Sequence, residues 1–114
     1  MNEMINFFKI LSDETRLRIL VLLYHQKLCV CQLTGIMNES QPKISKHLAK
    51  LRDLGFVKVE RQEQFIFYEL NLNNDLYLNI LQGIITSIDQ YTLLKQDMKN
   101  CENAENYLTR CLSK

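Results

Sequence analysis

The stretch KLCVCQL, residues 27–33, sets two thiols one residue apart, at Cys29 and Cys31. Thiolate is a soft ligand and selects As(III), Sb(III), Cd(II), Pb(II), Zn(II) or Cu(I) over hard cations. The spacing has a mechanical consequence. In a strand, residues i and i+2 share a face; in a regular helix they diverge by ~200°. An ion that takes both sulfurs therefore needs an extended or distorted turn at this point. Two more cysteines, Cys101 and Cys111, lie near the other end of the chain. Both are candidate ligands. The alternative for Cys111 is plain packing, since free cysteine is commonly buried; for Cys101 it is a bystander role.

A second group of residues suits a polyanion. The net charge is only +1, but residues 41–61 hold six bases and two acids, which puts +4 there and leaves −3 for the rest. A basic segment in a near-neutral chain is an electrostatic footprint for nucleic acid, or simply a solvated face.

The elements that must position these groups follow from periodicity. The chain has 114 residues, the size of one domain, with three Gly and one Pro, which favours a mostly helical fold. Residues 4–11 are apolar at helical spacing. Ser12 or Asp13 can cap a second helix, whose apolar stripe is Leu17, Leu20, Val21 and Tyr24. The cysteine segment is short and apolar, about two helical turns. Ser40 or Gln41, followed by Pro42, opens a further helix with Ile44, Leu48, Leu51 and Leu54 on one face and Gly55 at its end. Residues 56–71 alternate as a hairpin. Val57 and Val59 lie on one strand, Phe65 and Phe67 on its return, and Arg61 to Gln64 form a polar tip with no glycine to specify the turn. From Asn74 the stripe Tyr77, Leu81, Ile84, Ile88, Tyr91 and Leu94 predicts one helix of about 25 residues, nearly 40 Å long. That is more than a core of this size needs, so its face is expected to meet another subunit. A short amphipathic helix, about residues 103–112, ends the chain.

A short helix, a turn, a second helix with polar outer residues and then a charged hairpin make a helix-turn-helix with a wing. The second helix must bury Ile44, Leu48 and Leu51. Its other face is left for a major groove ~12 Å wide. Gln41, Lys43, Ser45, Lys46 and His47 are placed to reach base edges and phosphates, Lys50 the backbone, and Arg61, Gln62 and Gln64 a neighbouring groove.

LSDETRLRILVLL, then LCVCQL, then SQPKISKHLAKLRDLGFVKVERQEQFIFYELN resembles the ArsR/SmtB family of metal- and metalloid-sensing bacterial repressors over residues 7–72. The resemblance implies a homodimeric winged helix-turn-helix, mainly α with a small β-hairpin wing and dimerising through terminal helices. It implies a DNA-binding core at about residues 12–72, a dimerisation helix at about 74–99 and a palindromic double-stranded operator released on binding an inducer. The family's arsenic motif, Leu-Cys-Val-Cys-Asp-Leu-Cys, is matched at its first two cysteines. Gln32 stands for the acid and Thr34 for the third cysteine. Cys101 or Cys111 is then the implied third sulfur for As(III) or Sb(III). Cd(II), Pb(II) and Zn(II) are the alternatives, although the cadmium branch adds N-terminal cysteines that this chain lacks. The family's histidine-rich zinc site on the long helix is absent, since no His follows His47.

Other functions are weaker fits. There is no phosphate loop, and His25 and His47 lack partners for acid–base work, so the chain does not read as an enzyme. No run of ~18 apolar residues predicts a membrane span. The N-terminus does not read as a signal peptide, so a cytoplasmic location with reduced thiols is expected. A redox-sensing repressor of the same fold, and a structural DNA-binding protein with inert cysteines, remain as rivals.

Overall fold

The computed structural model describes residues 2–112, with side chains described through residue 108. Helix α1 (Asn2–Leu11) leads into α2 (Glu14–His25), whose first turn is capped by the Asp13 carboxylate accepting from Arg16 N–H at 3.0 Å. A two-residue strand, β1 (Leu28–Cys29), then turns into α3 (Val30–Met37). The recognition-helix candidate is α4 (Gln41–Asp53), with Ser40 as its cap and Pro42 in its first turn. Its end is set by Gly55, whose φ of +82° few side chains tolerate. That turn lets Phe56 N–H reach Leu51 C=O (2.9 Å) and Gly55 N–H reach Arg52 C=O (3.0 Å), a Schellman closure.

The wing is β2 (Val57–Gln62) paired antiparallel with β3 (Phe65–Leu70), closed by a two-residue turn with Glu63 at φ +57°. The sequence predicted a two-stranded hairpin. The sheet has three strands in the order β1-β3-β2, because Leu28 and Cys29 pair with Tyr68 and Phe67. Two residues are too few to show alternation, so periodicity could not reveal this strand.

The single long helix expected over residues 74–99 is divided. Helix α5 (Asp75–Thr86) is followed by a 3₁₀ turn (Ile88–Gln90), and α6 (Thr92–Cys101) starts after Tyr91, whose backbone is extended. Gly83 and the β-branched Ile84, Ile85 and Thr86 lower helix propensity just before the break. The break redirects α6 onto α2, where Arg18 takes both oxygens of Asp97, Nε to Oδ2 at 2.7 Å and Nη2 to Oδ1 at 2.8 Å. A carboxylate that is 1% exposed requires such a partner. Helix α7 (Ala104–Leu112) follows and packs on α3.

The core lies between α1, α2, α4 and α5. Ile19, Leu20, Leu22, Ile44, Leu48, Leu51 and Leu81 are fully buried. Phe7 stacks on Tyr77 with ring centroids 4.4 Å apart and meets Phe56 edge-on. Among the described residues no helix is long and apolar enough to cross a membrane.

Candidate nucleic-acid interface and thiol junction

Helix α4 divides as its sequence requires. Ile44, Leu48 and Leu51 anchor it in the core, while Gln41, Lys43, Lys46 and Lys50 are exposed and Ser45 is half-buried. Ser40 Oγ accepts from Lys43 N–H at 3.4 Å, Ile44 N–H donates to Ser40 C=O at 3.1 Å, and Pro42 has no N–H to satisfy, so the first turn is closed at the helix's positive end. His47 is half-buried, its Nδ1 3.9 Å from the Asp13 carboxylate that caps α2. Burial pushes the His47 pKa down against the opposing attraction of Asp13, and the Arg16 N–H holds the Asp13 carboxyl below its ordinary value. The imidazole thus lies between α4 and the start of α2, beside the Asp13 carboxylate. A cavity of about 590 Å³ opens here, walled by Asp13, Arg16, Lys46, His47 and Lys50 among others. Arg16 joins this basic surface. The pattern of α2 marks it as polar, but only the packing of α2 beside α4 brings it there.

At the wing, Arg61, Gln62 and Gln64 are exposed. Gln62 Nε2 donates to Glu60 Oε1 at 3.0 Å, and Glu60 also pairs with Lys27 at 3.2 Å. Lys27 lies over the Phe67 ring at 5.7 Å. The wing is therefore tied to the residues immediately before Cys29.

The cysteine pair straddles the junction between that sheet and α3. Cys29 is buried in extended backbone (φ −92°, ψ 171°) at the cap position, and Cys31 sits half-buried in the first helical turn. The backbone is thus extended at Cys29 and helical from Val30 onward, so the two residues stand on either side of the strand–helix junction. Cys31 is itself partnered. Thr34, at the position of the family's third cysteine, donates its hydroxyl to Cys31 C=O at 2.8 Å. Gln32 is buried and bridges two elements. Its Oε1 accepts from Cys29 N–H at 3.0 Å and its Nε2 donates to Ala104 C=O, at the start of α7, at 3.1 Å. The sequence marked Gln32 only as a departure from the family motif; its fit to a capping box with cysteine as the cap was the available signal.

Cys29 and Cys101 are free, buried thiols. Cys101 accepts from Gln26 Nε2 at 3.1 Å at the end of α6. The side chain of Cys111 lies outside the described residues. Among the described residues no three Cys, His, Asp or Glu side chains gather as a metal-binding group. Cys101 is thus not brought together with Cys29 and Cys31 into a three-ligand set.

A mostly helical chain with a capped, basic-faced α4 followed by a hairpin in a three-stranded sheet has the winged helix-turn-helix fold. The family described as "Bacterial regulatory protein, arsR family" matches residues 13–59. The arsenic resistance transcriptional regulator ArsR2 of Pseudomonas putida is 52% identical over 65 residues, 56% of this chain and 56% of that one. The chain therefore spans little more than half the length of that relative. An arsenical resistance operon repressor of Staphylococcus xylosus is 36% identical over 100 residues, 88% of this chain and 95% of that protein. The crystal structure of AntR, an antimony-specific transcriptional repressor, superposes with a TM-score of 0.64 at 27% identity, covering 78% of this chain and 79% of that one. The chain belongs to the arsR family of bacterial regulatory proteins.

Proposed function

We propose that this chain is a cytoplasmic, homodimeric repressor that binds a palindromic operator and releases it when As(III) or Sb(III) binds Cys29 and Cys31. The observation that carries the reading is the position of the cysteine pair. Cys29 belongs to the wing's sheet and Cys31 to the first helix of the DNA-binding pair, so drawing the two sulfurs onto one ion must change the angle between wing and helix. Soft thiolates fit a thiophilic ion. Two sulfurs leave one As(III) position open, and Cys101 or Cys111 is the proposed third ligand, reached by movement of the C-terminal helices. The relatives' names, arsenic for two and antimony for the third, support this inducer class.

On DNA, the start of α4 enters the major groove. Gln41, Ser45 and His47 face bases, Lys43, Lys46 and Lys50 face phosphates, and Arg61, Gln62 and Gln64 of the wing lie along the next groove. The dimer presents two such helices ~34 Å apart.

The test is a titration of reduced protein, bound to its own promoter duplex, with arsenite, antimonyl, Cd(II), Pb(II) and Zn(II). Arsenite and antimonyl are expected to release the DNA, and Cys29→Ser or Cys31→Ser to abolish release without loss of operator binding. Release by Cd(II) or Pb(II) alone would replace the inducer class. Release by peroxide alone would make the protein a redox sensor, and no release by any of them would leave the cysteines inert.

A further inference from the structure

The turn that joins α3 to α4 sets a carboxylate at the leading end of the helix assigned to the major groove. Glu39 stands just before the Ser40 cap, and the first turn of α4 itself holds no acid. Its backbone is fixed by Asn38, left-handed at φ +54°, and by its own N–H donating to Thr34 C=O at 3.3 Å. Its side chain, 25% exposed, is held from two sides. Oε2 accepts from Arg18 Nη1 at 3.3 Å and from Lys43 Nζ at 3.2 Å. The Arg18 charge is already matched by both oxygens of Asp97, and Arg18 Nη2 also donates to Met37 C=O at 2.9 Å. The counter-charge to Glu39 is therefore chiefly Lys43, on the exposed face of α4.

We propose that Glu39 is a specificity-determining residue that reads one G·C base pair in each half-site, its carboxylate accepting from the cytosine N4 amino group. This rests on the DNA-binding reading above. Residues at the N-terminal end of a recognition helix are those that reach base edges. In the major groove a carboxylate finds its complement in the amino donor of cytosine. Arg18 and Lys43 both use Oε2, and Oε1 has acceptor sites of its own. Lys43 carries three donors, so one ammonium can serve both Glu39 and a backbone phosphate and screen one from the other. Everywhere else on a duplex the same carboxylate meets phosphate repulsion, so it favours only a site that offers the amino group. The tie to buried Arg18 holds it in place before binding, which reduces the ordering cost on the correct site.

The test titrates reduced, full-length protein with its own promoter duplex and with duplexes in which each base pair of one half-site is exchanged in turn. Wild-type protein is expected to lose about tenfold in affinity when one particular G·C pair becomes A·T. Glu39→Ala is expected to erase that preference at that position alone and to keep the others. It should also tighten binding to a scrambled duplex about threefold, the scale of one partly exposed charge contact. Glu39→Gln keeps the side chain's size and an acceptor for Arg18, so the turn survives. Glutamine pairs with adenine N6 and N7, and this variant is expected to make A·T the preferred pair at the same position. A purely structural turn residue would instead lower the melting temperature or weaken every duplex equally, with wild-type base preferences retained. Either result overturns the proposal, as does a preference erased at an A·T position instead of a G·C one. Failure of wild-type protein to bind its promoter duplex sinks the repressor reading itself. Wild-type binding with base preferences that neither substitution moves sinks only the role of Glu39.

Discussion

Arg18 and Asp97 show how much a single pair of residues can decide. The pair is buried, bidentate and linked onward to Glu39 at 3.3 Å, which in turn meets Lys43 at the start of α4 at 3.2 Å. Removing the Asp97 charge leaves the buried Arg18 with its longer contact to the half-buried Glu39 in place of a bidentate partner. Asp97→Asn is therefore expected to cost about 3–5 kcal/mol in urea unfolding, while the surface exchange Lys95→Gln on the same helix stays within ~0.5 kcal/mol. The histidines make a separate prediction. His25 and His47 are both held below the ordinary value of 6.5, in each case chiefly by burial. The folded chain thus binds fewer protons than the unfolded one near and below pH 6.5. Their contribution to stability is present above that pH and lost as pH falls through their lowered folded values. Denaturation midpoints measured from pH 7.5 to 5 are expected to drop, with a shallower slope in the His25→Gln, His47→Gln double variant; an unchanged slope would refute the assignment.

At the scale of elements, the stretches with strong periodicity formed as their spacing indicated. Ile44, Leu48 and Leu51 gave α4 its buried face, and Ser40 and Gly55 its ends. The long C-terminal stripe misled because its apolar spacing continues through the break. Leu94 and Asp97 nevertheless find their partners within the chain, which requires the turn at residues 88–90. Helix α4 also carries a prediction of its own. Replacing Lys43, Lys46 and Lys50 together by Gln is expected to weaken binding to all duplexes alike. It should also flatten the dependence of log affinity on log salt by about 0.9 for each phosphate that is no longer neutralised. An unchanged slope in anisotropy titrations would place the DNA elsewhere.

The whole molecule, 44 × 30 × 21 Å, leaves apolar surface uncovered. Ile5 and Phe8 of α1, Leu76 of α5, and Tyr91 and Leu93 around the start of α6 are exposed, and a groove of about 460 Å³ runs past Leu17, Ile80, Ile84 and Leu94. A small domain gains much from covering such surface with a second copy. Phe8 is 46% exposed, so Phe8→Glu spares the core. It is expected to weaken self-association by about 2 kcal/mol, on the order of 30-fold, in sedimentation experiments, with operator affinity falling alongside. A variant that remains dimeric would move the interface away from α1.

Local spacing was enough to specify the helix-turn-helix with its wing, the basic face of α4 and the soft chemistry of Cys29 and Cys31. The signals were apolar residues three and four apart, a cap residue before a proline, and two thiols two positions apart. What the cysteines touch came from long-range packing. That packing set Cys29 beside Phe67 as an edge strand, turned α6 back so that Asp97 meets Arg18, and brought Ala104 to Gln32. Such pairings join residues up to 79 positions apart. They depend on how packed faces orient one another, and no local pattern records that.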